Sequence, residues 1–133
     1  MRVLFLADTH LGLDDPLRPR VERRRRGPEF YENFRRALEP ARRGEVDLVI
    51  HGGDIFFRSK VRPDVVQKAL DIVAEVTDLG IPFVLVPGNH ERSATPLPLL
   101  WDLENLHVIR KPDTFIHEIE IGDLDGDGAA EVY

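Results

Sequence analysis

The chain contains no cysteine. That excludes disulfides and thiolate metal sites, and it fits a reducing cytosol, the expected location. Long apolar runs are also missing. None approaches the roughly 20 residues that span a bilayer, so no membrane association is expected. The N-terminal stretch from Met1 to Ala7 has one basic residue and a very short apolar segment. It lacks the longer apolar region of a secretory signal. Lysine is scarce: Arg supplies 15 of the 18 basic residues, which fits a GC-rich or thermophilic source as readily as a function. No internal repeat is visible.

What is present is an ordinary globular composition. Of 133 residues, 42% are hydrophobic, which excludes disorder by composition and suits one domain with a compact core. The net charge of −6 hides an asymmetry. Residues 1–62 hold 14 Lys/Arg against 10 Asp/Glu, whereas residues 63–133 hold 4 against 14. A polyanion would therefore meet a local basic field in the first half, whatever the global pI.

Apolar periodicity gives the order of elements. A first strand is expected over residues 2–7, then a polar loop from Leu11 to about Gly27. Pro28 suits the first turn of a helix, and Phe30, Phe34, Leu38 and Ala41 recur at helical spacing. Pro40 should kink or end that helix, and Gly44 should close it. A second strand is expected over 46–51. A second helix should run from about Pro63 to Leu79, with Val66, Ala69, Leu70, Val73 and Val76 facing inward. Gly80 stops it before a third strand at Phe83–Val86. Strands alternating with helices imply an α/β fold with a parallel sheet. Beyond His90, a short helix near 99–103 and strands near 106–109, 115–121 and from 129 are expected. The chain stops inside that last apparent hairpin, so residues 1–133 are expected to be the N-terminal portion of one larger domain.

Three polar motifs each follow an apolar strand. Asp8-Thr9-His10 follows the first, Gly52-Gly53-Asp54 the second and Gly88-Asn89-His90 the third. In a parallel sheet the carboxyl ends of strands share one edge, where ligands bind. Carboxylates, imidazole and an amide oxygen make a mixed oxygen and nitrogen donor set for divalent metal. Glycines before Asp54 let the backbone come close to an ion. Asp54 has two oxygens and can bridge two cations. Each motif alone is weak, because Asp-x-His triplets and Gly-Asp turns are common. Their joint order, each behind a strand, carries the signal.

Asp8-Thr9-His10-Leu11-Gly12, Gly52-Gly53-Asp54-Ile55-Phe56 and Gly88-Asn89-His90-Glu91 resemble the first three signature motifs of calcineurin-like metallophosphoesterases, in particular the SbcD-type DNA-repair exonucleases. The resemblance covers roughly residues 1–115. It implies a layered β-sandwich flanked by helices, here incomplete, and a hydrolase of phosphodiesters in DNA. It implies that Asp8 and His10 bind a first metal, that Asp54 bridges, and that Asn89 binds a second. His90 would contact the scissile phosphate and assist the leaving group. The implied cofactors are two divalent ions, Mn²⁺ first and Mg²⁺ or another transition metal as alternatives. The implied partners are DNA, an SbcC-type ATPase and a second copy of the chain. The family completes its site with a downstream Gly-His-x-His motif, and here only His107 and His117 follow His90. A non-catalytic DNA-binding or assembly module, or a phosphoesterase acting on nucleotides or phosphoproteins, therefore stands as the alternative.

Other residues divide between function and bulk. The Arg18 to Arg26 run, with Arg23, Arg24, Arg25 and Arg26 as its densest part, reads equally as phosphate contacts or as a solvated loop. Arg58, Lys60 and Arg62 raise the same question more weakly. His51 is expected to be a hydrogen-bonded structural residue in preference to a ligand. His107 and His117 are expected to be structural, and Trp101 to be core. Asp123, Asp125, Asp127 and Glu131 have the spacing of a Ca²⁺ loop, but an acidic hairpin turn is the preferred reading.

Overall fold

A computed structural model of the chain describes residues 1–14, 26–88 and 103–109. Four strands form one parallel sheet in the order β1-β2-β3-β4: Val3–Leu6, Leu48–His51, Phe83–Leu85 and Leu106–Val108. Three helices accompany them: α1 (Gly27–Ala37), α2 (Glu39–Arg42) and α3 (Pro63–Thr77). The parallel α/β order read from the sequence is observed, with strand ends one or two residues shorter. The expected helix near 99–103 falls mostly outside the described residues. So do the strands near 115–121 and from 129, the acidic hairpin, Trp101 and His117.

Register divides the sheet into two faces. Leu4 pairs with Val49, and Val49 with Phe83; Leu6 pairs with His51, and His51 with Leu85. Side chains in one such row share a face, because alternation along a strand has period two. This face joins the apolar core with Phe34, Leu38, Ala69, Ile72, Val73 and Val76 from the helices. The opposite face carries Val3, Phe5, Leu48, Ile50 and Val84. There Phe5 remains 66% exposed, so an apolar edge lies uncovered among the described residues. Burying one Phe- or Leu-sized side chain contributes about 1.5–3 kcal/mol, so the helix-side face supplies most of the described stability.

The helices follow their sequences closely. The helix begun at Gly27 has Pro28 in its first turn, Glu29 near its positive end, and Arg35 and Arg36 near its negative end. It breaks at Leu38, two residues before Pro40. Pro40 has no N–H to give Arg36 and its ring crowds that carbonyl, so the turn must reorganise ahead of the proline. Gly44 then closes α2 at φ 72°. In α3 the buried stripe is Val65, Val66, Ala69, Ile72, Val73 and Val76, while Leu70 is only half-buried. Leu70 packs against the core from the rim of this stripe, so its inward position is observed with partial burial.

Candidate metal centre

The sheet delivers the first two motifs, and Gly88 of the third, to one edge. Strands β1, β2 and β3 are parallel neighbours, so the residues after Leu6, His51 and Leu85 emerge together. Backbone bonds then lock the first two motifs side by side. The Asp8 N–H donates to Gly53 O at 3.0 Å, His10 N–H to Asp54 O at 3.2 Å and Leu11 N–H to Ile55 O at 2.7 Å. Gly88, which opens the third motif, lies beside the second. A Cβ at Gly53 would lie 3.0 Å from Gly88 Cα, and one at Gly88 would overlap the Asp54 backbone and carboxylate. Only glycine fits at 88, and Asn89 is the next residue in the chain.

Asp8, His10 and Asp54 meet there. Each offers a donor atom within 4.8 Å of the others. Two donors bound to one ion at about 2.0–2.2 Å lie no more than about 4.4 Å apart, so a small adjustment suffices. Two carboxylates and an imidazole suit a divalent transition metal. His10 Nε2 is 3.6 Å from Asp8 Oδ1. The Asp8 side chain is 69% exposed and that of His10 is 37% exposed, so the cluster opens to solvent. The donor set and its access fit a cation.

All three residues adopt left-handed backbone: φ is 54° at Asp8, 49° at His10 and 52° at Asp54. Non-glycine residues seldom do so, and the conformation costs on the order of 1 kcal/mol at each. Such strain concentrates at functional sites. Gly53, at φ 117°, gives the chain the reversal it needs just before Asp54.

His51 lies beneath this cluster, fully buried, and both ring nitrogens are engaged. It is a hydrogen-bonded core residue, as its sequence position suggested. Burial pushes its pKa down from 6.5 to about 4, and the nearby Asp8 and Asp54 carboxylates oppose that shift without reversing it. Sequence reasoning passed over Thr9, whose hydroxyl is 3.1 Å from both His51 Nε2 and Ile55 O. Its place between two candidate ligands was the available signal.

Asn89 and His90 lie outside the described residues, as do Arg23, Arg24 and Arg25. Arg26 occupies the residue just before α1. Its backbone N–H donates to Asp14 Oδ2 at 2.9 Å, and its guanidinium donates to Glu29 at 3.0 Å. Arg58, Lys60 and Arg62 line a depression beside Gly12. Arg62 is bound by two bonds of 2.7 and 2.9 Å to Asp64, whose carboxyl this partner holds below its usual range. Arg58 stacks over Phe57 at 4.3 Å. His107, on β4, is half-buried on the sheet face away from the helices. Among the described residues, no helix is long and apolar enough to cross a membrane.

Comparison with known proteins agrees with this geometry. The family model described as calcineurin-like phosphoesterase matches residues 1–128. The DNA double-strand break repair protein Mre11 of Haloferax volcanii is 38% identical over 91 residues, which is 68% of this chain and 19% of that protein. Mre11 of Saccharolobus solfataricus is 32% identical over 91 residues, 68% of this chain and 23% of that protein. The chain thus spans about a fifth of the length of these relatives. Among solved structures, a dimetal phosphatase from Danio rerio superposes with a TM-score of 0.51 at 28% identity, over 75% of this chain and 32% of that one. The nuclease MPE of Pseudomonas putida shares the fold with a TM-score of 0.55 at 22% identity, over 86% of this chain and 50% of that one.

Proposed function

The chain belongs to the calcineurin-like phosphoesterase family, and on that premise we propose that it is the N-terminal portion of a metal-dependent phosphodiester hydrolase acting on DNA, of SbcD or Mre11 type. The observation that carries the reading is the convergence of Asp8, His10 and Asp54 at one sheet edge, with Gly88 packed against Asp54. Asp8 and His10 hold one divalent cation, Asp54 bridges to a second, and Asn89 completes the second position. Mn²⁺ is the first choice of ion. When bound, the cations supply Lewis-acid charge to a phosphoryl oxygen and a water of lowered pKa. His90 contacts the scissile phosphate and stabilises or protonates the leaving oxygen. Arg58 and Lys60, in the depression beside Gly12, supply positive charge for a phosphate backbone. DNA and an SbcC-type ATPase are the proposed partners, with a dimer as the working form.

A second reading is favoured by one feature of the sequence: residues 91–133 contain no Gly-His-x-His. On that reading the chain binds DNA or serves assembly without cutting. The Danio rerio phosphatase keeps a third substrate class open, phosphate esters other than DNA. One experiment separates them. The chain is titrated with Mn²⁺ and assayed on labelled DNA, a small phosphodiester and a phosphoprotein. Mn²⁺ binding with DNA cleavage supports the proposal. DNA binding without cleavage supports the second reading, and preference for either other substrate supports the third.

A further inference from the structure

His51 ends β2 on the core face, and its hydrogen bonds can be assigned a direction. The Gly53 backbone N–H lies 3.2 Å from Nδ1, and an N–H can only donate, so Nδ1 is an acceptor without a proton. The neutral ring then carries its proton on Nε2, 3.1 Å from Thr9 Oγ1, and donates to it. The single Thr9 hydroxyl hydrogen goes to Ile55 O at 3.1 Å. Each donor has one acceptor, and no other tautomer closes the chain. An imidazolium would set an Nδ1–H against the Gly53 N–H. Burial of the ring favours the neutral form as well. The edge-on approach of Phe34, with ring centroids 6.0 Å apart, holds the imidazole from the core side.

The ends of this chain of bonds matter. Thr9 lies between Asp8 and His10, and Gly53 and Ile55 flank Asp54. These segments hold the three left-handed residues and bring two carboxylates together. Both features resist the arrangement, through backbone strain and like charge. The backbone bonds from Asp8 and His10 tie the segments along the sheet edge. The imidazole and the threonine hydroxyl tie them from the core.

We propose that His51 is a positioning residue: as a neutral imidazole protonated on Nε2, it clasps Thr9 to Gly53 and so fixes Asp8, His10 and Asp54 for a divalent cation. The proposal rests on the metal-site reading above. Groups that orient ligands in this indirect way change metal affinity by roughly 10–100-fold when removed.

The test is calorimetric Mn²⁺ titration of the full chain and of Thr9→Val, Thr9→Ser, His51→Leu, His51→Gln and the Thr9→Val/His51→Leu pair. A long-range ¹H–¹⁵N imidazole spectrum of the unsubstituted chain accompanies it. The expected spectrum shows Nε2 protonated and Nδ1 bare. Thr9→Val and His51→Leu should each weaken Mn²⁺ binding by roughly 10–100-fold, and the pair no more than the worse single variant. Thr9→Ser and His51→Gln, which keep the Thr9–His51 bond, should restore most of the affinity. A purely structural histidine would lower the melting temperature and leave the affinity of the folded chain unchanged. That result, or a ring protonated on Nδ1, overturns the proposal. Should His51→Leu not fold, Thr9→Val carries the same test. Absence of Mn²⁺ binding by the unsubstituted chain overturns the metal reading beneath it. Binding that is indifferent to these variants overturns the clasp alone.

Discussion

The helix-side face of the sheet and the carboxyl edge above it obey different rules. In the core, side chains follow period two or 3.6, and residues such as Val49, Ile72, Val73 and Phe83 are apolar and sealed. At the edge, a few residues away, Asp8, His10 and Asp54 take left-handed backbone and crowd like charges together. The core keeps to local preference almost throughout, the buried Thr77 hydroxyl aside, whereas the edge violates several at once. Asp14 and Asn105 also have positive φ, so it is the coincidence of strained backbone with clustered metal donors that marks this edge for function. The core holds the strands rigid, and their rigidity holds the strained edge.

The largest expected effect isolates the edge. Asp54→Ala should reduce Mn²⁺ affinity by on the order of 100-fold or more, since a direct ligand counts for at least as much as an orienting one. Circular dichroism should still show the α/β fold. Unchanged affinity by calorimetry would remove Asp54 from the centre. Ile72→Ala addresses the other region. It should cost about 2–4 kcal/mol in urea denaturation and leave the Mn²⁺ affinity of the folded chain intact. A loss of affinity at full folding would mean that core and edge are not separable.

A third prediction joins the regions through His51. Its pKa falls from 6.5 in the unfolded chain to about 4 in the fold. The unfolded state therefore binds more protons between those values, and stability rises with pH across the window. The contribution is fully present above about pH 6.5 and is lost as the pH falls towards 4. It is on the order of 3 kcal/mol, the Asp8 and Asp54 carboxylates included in that net shift. Denaturation at pH 7 and pH 5 should show this slope in the unsubstituted chain and a shallower one in His51→Gln. Equal slopes would mean that His51 is not buried neutral.

The smallest effect is a gain. Asp8 is exposed and left-handed, so Asp8→Gly should relieve strain and stabilise the metal-free chain by roughly 0.5–1 kcal/mol. The same change should weaken Mn²⁺ binding. A thermal melt showing loss of stability would mean that Asp8 is not strained.

These particulars also show what a linear sequence can carry. The parallel sheet and the meeting of the first two motifs were legible because apolar runs punctuated by polar motifs alternate with helices. The break at Leu38 was less so, because a proline signals interruption but its clash falls four residues back. The left-handed angles at Asp8, His10 and Asp54 left only a weak trace in residue type: Asp and His adopt them more often than most residues, but most Asp and His do not. The Thr9–His51 bond depends on register: pairing Leu6 with His51 sets which hydroxyl meets the ring. Asn89 and His90 were read from their motif and stand as proposals.

The most direct measurement is paramagnetic broadening by Mn²⁺ in a ¹H–¹⁵N spectrum of the isotopically labelled chain. The account predicts that signals from Asp8, Thr9, His10, Gly53, Asp54 and Gly88 vanish first, at substoichiometric metal, while those of Glu39 and Glu75 on the helices persist. Broadening that spreads evenly over acidic surface residues, or that spares Asp8 and Asp54, would contradict it.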